Sequence, residues 1–412
     1  MHIELVTIGN ELLLGFTVDT NGAEIARALS SLGVDVVRRT AVPDRAESIA
    51  AAVAESLRRT GAVLTTGGLG PTRDDISKTV VAELYGAPLE FDPTVWSDIV
   101  ARFARVQRSP AVSNRSQAEV PRGATVLRNQ WGTAPGLWLE GPLGLTIMLP
   151  GVPSEMRKLL ELEVAPRLAA RASGAVVRSL VVRTTAIAES ALAERMGEIE
   201  REIMPLSLAY LPGIEGVDLR VTAWGLPADE ADRRLRAAAD LMAERAGEHA
   251  YGEGDSDLAA VLLERARRAR LSLGTAESCT GGLVGGRITE VPGSSDVFAG
   301  GVVCYSNHLK TELLGVPPEL IAGQGAVSEA VARAMAEGAR ARIGVDVAVS
   351  VTGIAGPSGG TEEKPVGTVW FAVASPGQTE SRRVVFLGSR KEIRERAAQT
   401  ALFLVNRRLI AD

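Results

Sequence analysis

The chain has 412 residues, of which 46% are hydrophobic and 23% charged, with a formal net charge of −5 at pH 7. This length predicts two or three domains, and the composition excludes a mainly disordered or collagen-like chain. No uncharged run reaches the roughly 18 residues of a membrane helix, and no basic-then-apolar leader opens the sequence, so we expect a cytoplasmic protein without membrane contact. Two cysteines and three histidines offer neither a disulfide framework nor a zinc spacing.

The charge balance argues against direct nucleic-acid binding. Lys and Arg together number 45 against 50 Asp and Glu, so no overall positive field attracts phosphate. Because most of the basic residues are arginine, a lysine in a loop is a candidate functional group. The five lysines are Lys78, Lys158, Lys310, Lys364 and Lys391.

The first segment, to about residue 171, alternates short apolar runs with helical patterns. This order predicts a parallel sheet with helices on both faces, and such sheets bind ligands at the carboxyl ends of their strands. Asp44 is placed to cap the second helix. The predicted strands are Ile3–Ile8, Val34–Arg38 and Ala62–Thr66, and the predicted helices are Asn21–Leu32 and Arg45–Arg59.

A glycine-rich loop, Thr66–Asp75, follows the third strand and precedes a helix. Glycines such as Gly67 and Gly68 let a phosphate approach the backbone, and a helix start supplies free N–H groups. The aspartates at its end suit a divalent cation beside a phosphate. The alternative is a tight turn in which Asp75 or Ser77 caps the next helix. The loop is neither a P-loop nor a Rossmann fingerprint.

Carboxylates also follow the other two strands, at Glu11 and Asp44, which makes this edge of the sheet a candidate metal site. The motifs concerned are Ile8-Gly9-Asn10-Glu11-Leu12-Leu13-Leu14-Gly15, Asp19-Thr20-Asn21, the loop just described, and Leu149-Pro150-Gly151-Val152-Pro153-Ser154-Glu155-Met156. They resemble the molybdopterin-binding-like domain of the CinA family (competence/damage-inducible protein A), a domain similar to the MoaB/MogA-type molybdopterin adenylyltransferases.

That resemblance implies a three-layer α/β domain whose Asp44 and Asp75 serve nucleotide and Mg²⁺ binding. It also implies a metal-dependent ADP-ribose pyrophosphatase, with Glu11, Gly67 and Gly68 at the substrate. The first loop often reads Gly-Asp-Glu in the family and reads Gly9-Asn10-Glu11 here.

The middle segment predicts a small α+β unit of βαββα order, which resembles a KH module. It carries nine Arg against 13 Asp and Glu between residues 176 and 250, and this balance repels phosphate. We find no Gly-x-x-Gly clamp between the expected elements, and therefore favour a structural or dimerising linker over an RNA binder. The predicted elements are strand Val176–Thr184, helix Glu189–Glu202, strands Ser207–Leu211 and Val217–Trp224, and helix Asp229–Glu248.

After a predicted hinge at Gly252–Asp255, the strand–helix alternation of an α/β domain resumes. The predicted boundaries of this multi-domain α/β chain are 1–172, 173–252 and 253–412. We expect Ser389 to cap the last helix. The predicted elements are helix Leu258–Arg270, strands Leu271–Thr275 and Val297–Tyr305, helix Ser328–Arg342, strands Asp346–Val351, Val366–Ala374 and Arg382–Leu387, and helix Lys391–Ile410.

Ser278 lies in a Gly-rich turn, Thr275–Gly282, between a strand and a helix, where its hydroxyl would be presented at the sheet edge. A serine nucleophile needs a base. His308 has no evident carboxylate to orient it, whereas Lys310 follows the next strand end, as Tyr305 does. A desolvated lysine can act as a base, and Ser-Lys pairs are a variant of the triad logic. The alternative is a solvated Lys310 and a core Tyr305.

Other residues near this turn leave alternatives open. Cys279 is the alternative nucleophile, although a small buried residue is the favoured interpretation, and Cys304 is expected in the core. The loop from Val351 to Gly360 follows another buried strand, and Thr352 could offer its hydroxyl to an oxyanion or phosphate. A flexible connection would explain the same glycines.

These segments resemble the C-terminal CinA domain, also found alone as the nicotinamide-nucleotide amidase PncC. The matching stretches are Ala276–Gly282, Gly300–Asn307, Lys310, Gly325–Ser328, Thr352–Pro357 and Lys364–Val369. The resemblance implies cofactor-free hydrolysis of the carboxamide of nicotinamide mononucleotide (NMN) to nicotinic acid mononucleotide and ammonia. It also implies that Ser278 is the nucleophile, with Lys310 and Tyr305 as its activating partners.

Further candidates for substrate binding lie in the same loops. The backbone N–H groups of Cys279 and Thr280, together with Thr352, would hold the oxyanion. Arg390 and the Gly-rich loops, including Gly281, Gly282 and Gly353, would hold the 5′-phosphate.

Three hypotheses follow for the whole chain. The first is a bifunctional hydrolase of pyridine-nucleotide metabolism acting on NMN and ADP-ribose. The second is activity of the N-terminal site alone. The third is a non-catalytic, nucleotide-sensing partner protein in competence or DNA repair. Exposed strand edges in the linker unit favour a homodimer.

Overall fold

The computed structural model describes residues 1–172 and 175–410. The chain divides into two compact units, Met1–Arg178 with Ala223–Arg233, and Ser179–Thr222 with Arg234–Asp412. The predicted start of the middle domain, at residue 173, and the predicted end of the last domain lie outside the described residues. No helix in the described ranges combines the length and apolarity needed to cross a bilayer.

The N-terminal sheet has six strands in the order β2-β1-β3-β8-β7-β6, the first four parallel and the last two antiparallel. Helices cover both faces, which confirms the predicted layers. The elements are β1 (His2–Ile8), α1 (Asn10–Leu13), α2 (Thr20–Ser31), β2 (Asp35–Val42), α3 (Ala46–Thr60), β3 (Ala62–Thr66), α4 (Ser77–Leu84), β4 (Leu89–Phe91), α5 (Pro93–Arg105), β5 (Glu119–Pro121), β6 (Thr125–Leu127), β7 (Gly136–Gly141), β8 (Gly144–Leu149), α6 (Pro153–Leu159) and α7 (Ala165–Ala169).

Successive side chains along each strand point to opposite faces of the sheet, so a hydrophobic core forms on each face. Val6 and Val63 face α3, α4 and α5, whereas Leu5 and Leu64 face α2, α6 and α7. Ile8 pairs with Val42 in the parallel register of this sheet. The four parallel strands therefore end at one edge and deliver their following loops together.

The middle segment forms a four-stranded sheet in the order β10-β11-β9-β12. The single helix predicted over 189–202 is wrong, because Gly197 at φ +56 separates two short helices. The predicted hinge is also wrong at Gly252 and Glu253, which belong to a strand paired with β9. The elements are β9 (Ala175–Thr184), α8 (Glu189–Met196), α9 (Ile199–Glu202), β10 (Ser207–Pro212), β11 (Val217–Pro227), α10 (Ala228–Ala246) and β12 (Ala250–Glu253).

A Gly-x-x-Gly sequence does occur between two elements of this unit, which corrects its predicted absence. It runs from Gly213 to Gly216 and closes the hairpin between β10 and β11, where Gly213 N donates to Gly216 O at 2.8 Å. Gly216 is required by packing, since a Cβ there would lie 2.0 Å from Thr184 O. Its neighbour Glu215 pairs with Arg183.

The C-terminal sheet has five strands in the order β14-β13-β15-β16-β17, the first three parallel. Glu277 pairs with both Val303 and Val351, so the loops after β13, β14 and β15 start side by side. The predicted cap is confirmed: Ser389 Oγ accepts from Glu392 N at 3.4 Å. The elements are α11 (Leu258–Ala269), β13 (Leu273–Glu277), α12 (Leu283–Thr289), β14 (Phe298–Val303), α13 (Asn307–Leu314), α14 (Pro318–Gln324), α15 (Glu329–Ile343), β15 (Val347–Gly353), β16 (Thr368–Ser375), β17 (Gln378–Val385) and α16 (Arg390–Ile410).

Candidate active sites

Ser278 occupies the first position of the turn that leaves β13. Its amide N donates to Val351 O at 2.9 Å, and its carbonyl accepts from Gly281 N at 3.1 Å, so the turn is tied to the neighbouring strand. Gly281 and Gly282 adopt φ values of +61° and +94°. These are left-handed values that glycine reaches without strain, which explains why the turn carries two glycines.

The carboxylate of Glu277 fixes the other side of this turn. It is 2% exposed and accepts from the backbone N–H groups of Gly282, Val284 and Gly285, at 2.9, 3.1 and 2.8 Å. A carboxylate at a helix start satisfies N–H groups that have no intrahelical partner. The sequence reasoning missed this residue, although a charged residue within an otherwise buried strand was a usable signal.

Lys310 lies against Ser278 in the interior of the domain. Its Nζ is 3.0 Å from Ser278 Oγ and 3.0 Å from Cys304 O, and the residue is 1% exposed. The alternative of a solvated lysine is therefore wrong. Burial lowers the pKa of Lys310, because the interior penalises the charged ammonium. The lysine is positioned by α13, whose start is capped by Ser306 Oγ accepting from Leu309 N.

Tyr305 lies on the surface beside this pair, which corrects its alternative interpretation as a core aromatic. The residue is 60% exposed, and its hydroxyl accepts from Arg390 Nη2 at 2.9 Å. Among the described residues, no hydrogen bond joins the phenol to Ser278 or Lys310. Arg390 also donates through Nη1 to Gly356 O at 2.7 Å, so it links the loops after β14 and β15.

Thr352 and Gly353 serve packing in this conformation. The hydroxyl of Thr352 donates to Ala326 O at 2.8 Å and is therefore not turned toward Ser278 as an oxyanion donor. A Cβ on Gly353 would lie 2.7 Å from Val369 Cγ2, so the close approach of β16 accounts for this glycine. Both residues shape the third loop of the site.

The competing nucleophiles and bases are poorly placed. Burial raises the pKa of the Cys279 thiol to about 12, which disfavours the thiolate. Cys304 is fully buried, as expected. The structure corrects the expectation that His308 has no carboxylate beside it, because its Nε2 lies 2.9 Å from Glu312 Oε2, but both side chains face solvent on α13. Ser278 with Lys310 is thus the pair that the described geometry supports.

The second candidate site is a cleft of about 360 Å³ at the carboxyl edge of the N-terminal sheet. It is lined by Glu11, Asp44, Gly67, Gly68 and Asp75. The predicted convergence of these three loops is thereby confirmed. The glycines allow close packing, since a Cβ on Gly67 would lie 2.2 Å from Ile8 O.

Neither aspartate caps a helix, which corrects that prediction. The first residue before α3 is Arg45, and Asp44 Oδ2 instead accepts from Asn10 N at 2.9 Å, joining the first two loops. Asp75 Oδ2 accepts from Thr72 N at 2.9 Å inside its own loop. The hydrogen bonds that the described residues give to Asp44 and Asp75 fall on Oδ2 of each carboxylate.

Glu155, in the motif after β8, also lines the cleft. Its Oε2 accepts from Asn129 Nδ2 at 2.6 Å, and burial raises the pKa of this carboxyl. Within the described ranges no group of three or more His, Cys, Asp or Glu residues is arranged to hold a metal. Mg²⁺ commonly binds one or two carboxylates together with substrate phosphates, so Asp44 and Asp75 fit a cation that arrives with a nucleotide.

The fold and the two sites define a multi-domain α/β protein. Three protein-family models match successive segments of the chain. They are "Probable molybdopterin binding domain" over residues 4–170, "Damage-inducible protein CinA KH domain" over 179–252 and "CinA C-terminal domain" over 255–409. The predicted fold class is confirmed by these matches.

Relatives that match nearly the full length of the chain belong to the same family. The chain is 54% identical to a CinA-like protein of Gemmatimonas aurantiaca over 98% of this chain and 95% of that protein. It is 43% identical to a CinA-like protein of Salinibacter ruber over 98% of each. The chain therefore belongs to the CinA family. A crystal structure of the competence/damage inducible protein CihA from Agrobacterium tumefaciens is 43% identical, covering 37% of this chain and 92% of its own, with a TM-score of 0.36.

Proposed function

We propose that the C-terminal domain is a nicotinamide-nucleotide amidase that converts NMN to nicotinic acid mononucleotide and ammonia. The observation that carries the proposal is the buried contact of Lys310 Nζ with Ser278 Oγ at 3.0 Å. A lysine whose pKa is lowered by burial is a competent base for a serine hydroxyl.

In the first half-reaction, neutral Lys310 takes the Ser278 proton as Oγ bonds to the carboxamide carbon, and the carbonyl electron pair moves onto oxygen. The tetrahedral intermediate then collapses, the C–N bond breaks, and the proton on Lys310 goes to the departing nitrogen, which leaves as ammonia. In the second half-reaction water attacks the acyl ester, and Lys310 moves a water proton to Ser278 Oγ. Every step uses groups of this chain, the substrate and water.

The surface side of the site suits a nucleotide. Arg390 donates to both Tyr305 and Gly356 and stands at the start of α16, beside the exposed side chain of Tyr305. A guanidinium there can bind a phosphate through its planar donors. We therefore retain Arg390 as the phosphate-binding candidate.

The test is ammonia release from NMN, measured with and without EDTA, by the wild type and by Ser278→Ala. We expect turnover that survives EDTA and is lost in Ser278→Ala, with the fold retained because Lys310 Nζ keeps its contact with Cys304 O. Retained turnover in the variant would exclude Ser278 as nucleophile. Specific binding of NMN without turnover by the wild type would instead support the non-catalytic, nucleotide-sensing hypothesis.

We also propose that the N-terminal domain is a metal-dependent ADP-ribose pyrophosphatase. The supporting observation is the cleft that joins Asp44 and Asp75 to Gly67 and Gly68. Asp44 and Asp75 would hold a divalent cation, which would supply a positive charge to the pyrophosphate. Formation of AMP from ADP-ribose should require added Mg²⁺ and should be lost in Asp75→Ala, whereas NMN hydrolysis by the same variant should persist. Loss of both activities would point to misfolding.

A further inference from the structure

Arg394, on α16, belongs to none of the motifs above, yet it contacts the Ser278 turn directly. Its Nε donates to Cys279 O at 3.0 Å and its Nη2 donates to Thr280 O at 2.7 Å. One guanidinium thus holds two successive carbonyl groups. A Cβ on Gly281 would lie 3.2 Å from the same Nη2, so the turn is in close contact with the arginine.

Because the peptide bond is planar, these two contacts also fix the direction in which the neighbouring N–H groups point. In a trans peptide the carbonyl and the following N–H point in opposite directions. With the carbonyl of Thr280 on Arg394, the N–H of Gly281 must point away from Arg394, and it reaches Ser278 O at 3.1 Å. With the carbonyl of Cys279 also on Arg394, the N–H of Thr280 points to that same Ser278 side.

The Thr280 amide lacks a hydrogen-bond partner within the described chain. Thr280 is 0% exposed, and its Oγ1 is likewise buried without a partner. Buried polar groups are nearly always paired, and an orphaned donor costs free energy. Two unpaired polar groups beside a serine nucleophile indicate a position completed by a ligand.

The two amides that follow Thr280 in the turn are already used, and the first of them, Gly281 N, donates to Ser278 O at 3.1 Å. Gly282 N donates to the Glu277 carboxylate at 2.9 Å. The turn is therefore held at both ends, by Glu277 on its amide groups and by Arg394 on its carbonyl groups. Between these two anchors the Thr280 N–H remains available.

We propose that Arg394 is a positioning residue of the amidase, which orients the Thr280 N–H as the oxyanion donor for Ser278. This inference rests on the proposed amidase function. Arg394 does not touch substrate; it acts through the two peptide planes that it fixes. Removal of one oxyanion donor typically lowers kcat by roughly 10²–10³-fold.

The test compares Arg394→Met, Arg394→Lys and the control Arg396→Met. Arg396 lies on the same helix and donates to Leu387 O at 3.3 Å, away from the turn. We expect Arg394→Met to lower kcat on NMN about 100-fold with little change in KM. Lysine keeps the positive charge but lacks the planar fork that fits two successive carbonyls, so Arg394→Lys should recover part of the loss. Arg396→Met should behave as wild type.

The pH–rate profile separates positioning from disruption. If Arg394 acts through Thr280, the midpoint set by Lys310 should be the same in Arg394→Met and wild type, because the Ser278–Lys310 pair is untouched. An unchanged kcat in Arg394→Met would overturn the proposal. A lowered kcat with a shifted midpoint would also overturn it, since the pair itself would have moved.

Labelling of Ser278 by phenylmethylsulfonyl fluoride, followed by mass spectrometry, does not depend on the natural substrate. In that reaction the Oγ–S bond forms, the S–F bond breaks, fluoride leaves and Lys310 takes the serine proton. Suppose that the wild type does not hydrolyse NMN but reacts at Ser278. Slower labelling in Arg394→Met than in Arg396→Met would then support the role of Arg394, and only the assignment of NMN as substrate would be overturned. A wild type that neither hydrolyses NMN nor reacts at Ser278 would overturn both.

Discussion

Lys310 Nζ and Ser278 Oγ lie 3.0 Å apart, at positions 32 residues apart in the chain. The parallel pairing of β13 with β14 makes this contact, because Glu277 and Val303 are register partners and both loops leave the same edge of the sheet. The lysine reaches the serine from the first turn of α13, inside the protein. A Ser-Lys pair is thus assembled by sheet topology.

We expect Lys310→Arg to abolish ammonia release although it keeps the positive charge. Arginine does not lose its proton in proteins, so it cannot take the proton of Ser278. The loss of a general base corresponds to roughly 10²–10⁴-fold in kcat. Steady-state kinetics on NMN would measure it, and an unchanged melting temperature would show that the fold is retained. Substantial activity in Lys310→Arg would contradict the assignment of the base.

The pH dependence of the wild type follows from the same lysine. Burial lowers the pKa of Lys310 from its ordinary value of 10.5, and the reaction needs the neutral amine. The value of kcat/KM should therefore rise with pH through one ionisation whose midpoint lies below 10.5, because the base becomes available at a lower pH than for an exposed lysine. A profile that is flat from pH 6 to 10 would argue against a titrating lysine.

Glu277→Gln should weaken the fold of the C-terminal domain. The amide oxygen can keep part of the hydrogen bonding to Gly282, Val284 and Gly285, but the amide NH₂ opposes the remaining N–H. Each hydrogen bond to a charged group contributes about 1.5–3 kcal/mol, so we expect a loss of about 2 kcal/mol in the free energy of unfolding. Denaturant unfolding would measure it. Glu290→Gln is the matched control. Glu290 lies exposed at the C-terminal end of α12, the helix whose start Glu277 contacts, and its substitution should leave stability unchanged.

Tyr305→Phe tests whether the phenol takes part in proton transfer. The hydroxyl contacts Arg390 and has no bond to Lys310 or Ser278 in the described structure. We expect a rise in KM of less than about tenfold with kcat retained, the size of one exposed hydrogen bond. A fall in kcat as large as that of Lys310→Arg would show that the phenol moves into the proton path when substrate binds.

Sequence reasoning located the parts of the two sites that depend on strand ends. Ser278, Lys310 and Asp75 all follow strands that run parallel to their neighbours, and parallel strands deliver their loops to one edge. It could not place the contacts that depend on packing between distant segments. Arg394 meets Cys279 across 115 positions of the chain, and nothing local to Arg394 marks it. Asp44 caps no helix because it is bonded to Asn10, a partner supplied only by the folded sheet.

Gly68→Ala should separate the two proposed activities. Gly68 has φ +69, and a Cβ there would lie 2.0 Å from Ser77 Oγ, so alanine would be strained and would push the loop away from α4. Because this loop carries Asp75, we expect metal-dependent AMP formation from ADP-ribose to fall at least about tenfold, as when a reacting group is displaced by about 1 Å. Gly86→Ala, at φ +62 with open space around its Cβ position, is the matched control for backbone strain alone. NMN hydrolysis should be unchanged in both variants. Equal AMP formation by Gly68→Ala and Gly86→Ala would show that the glycine-rich loop does not form the pyrophosphatase site.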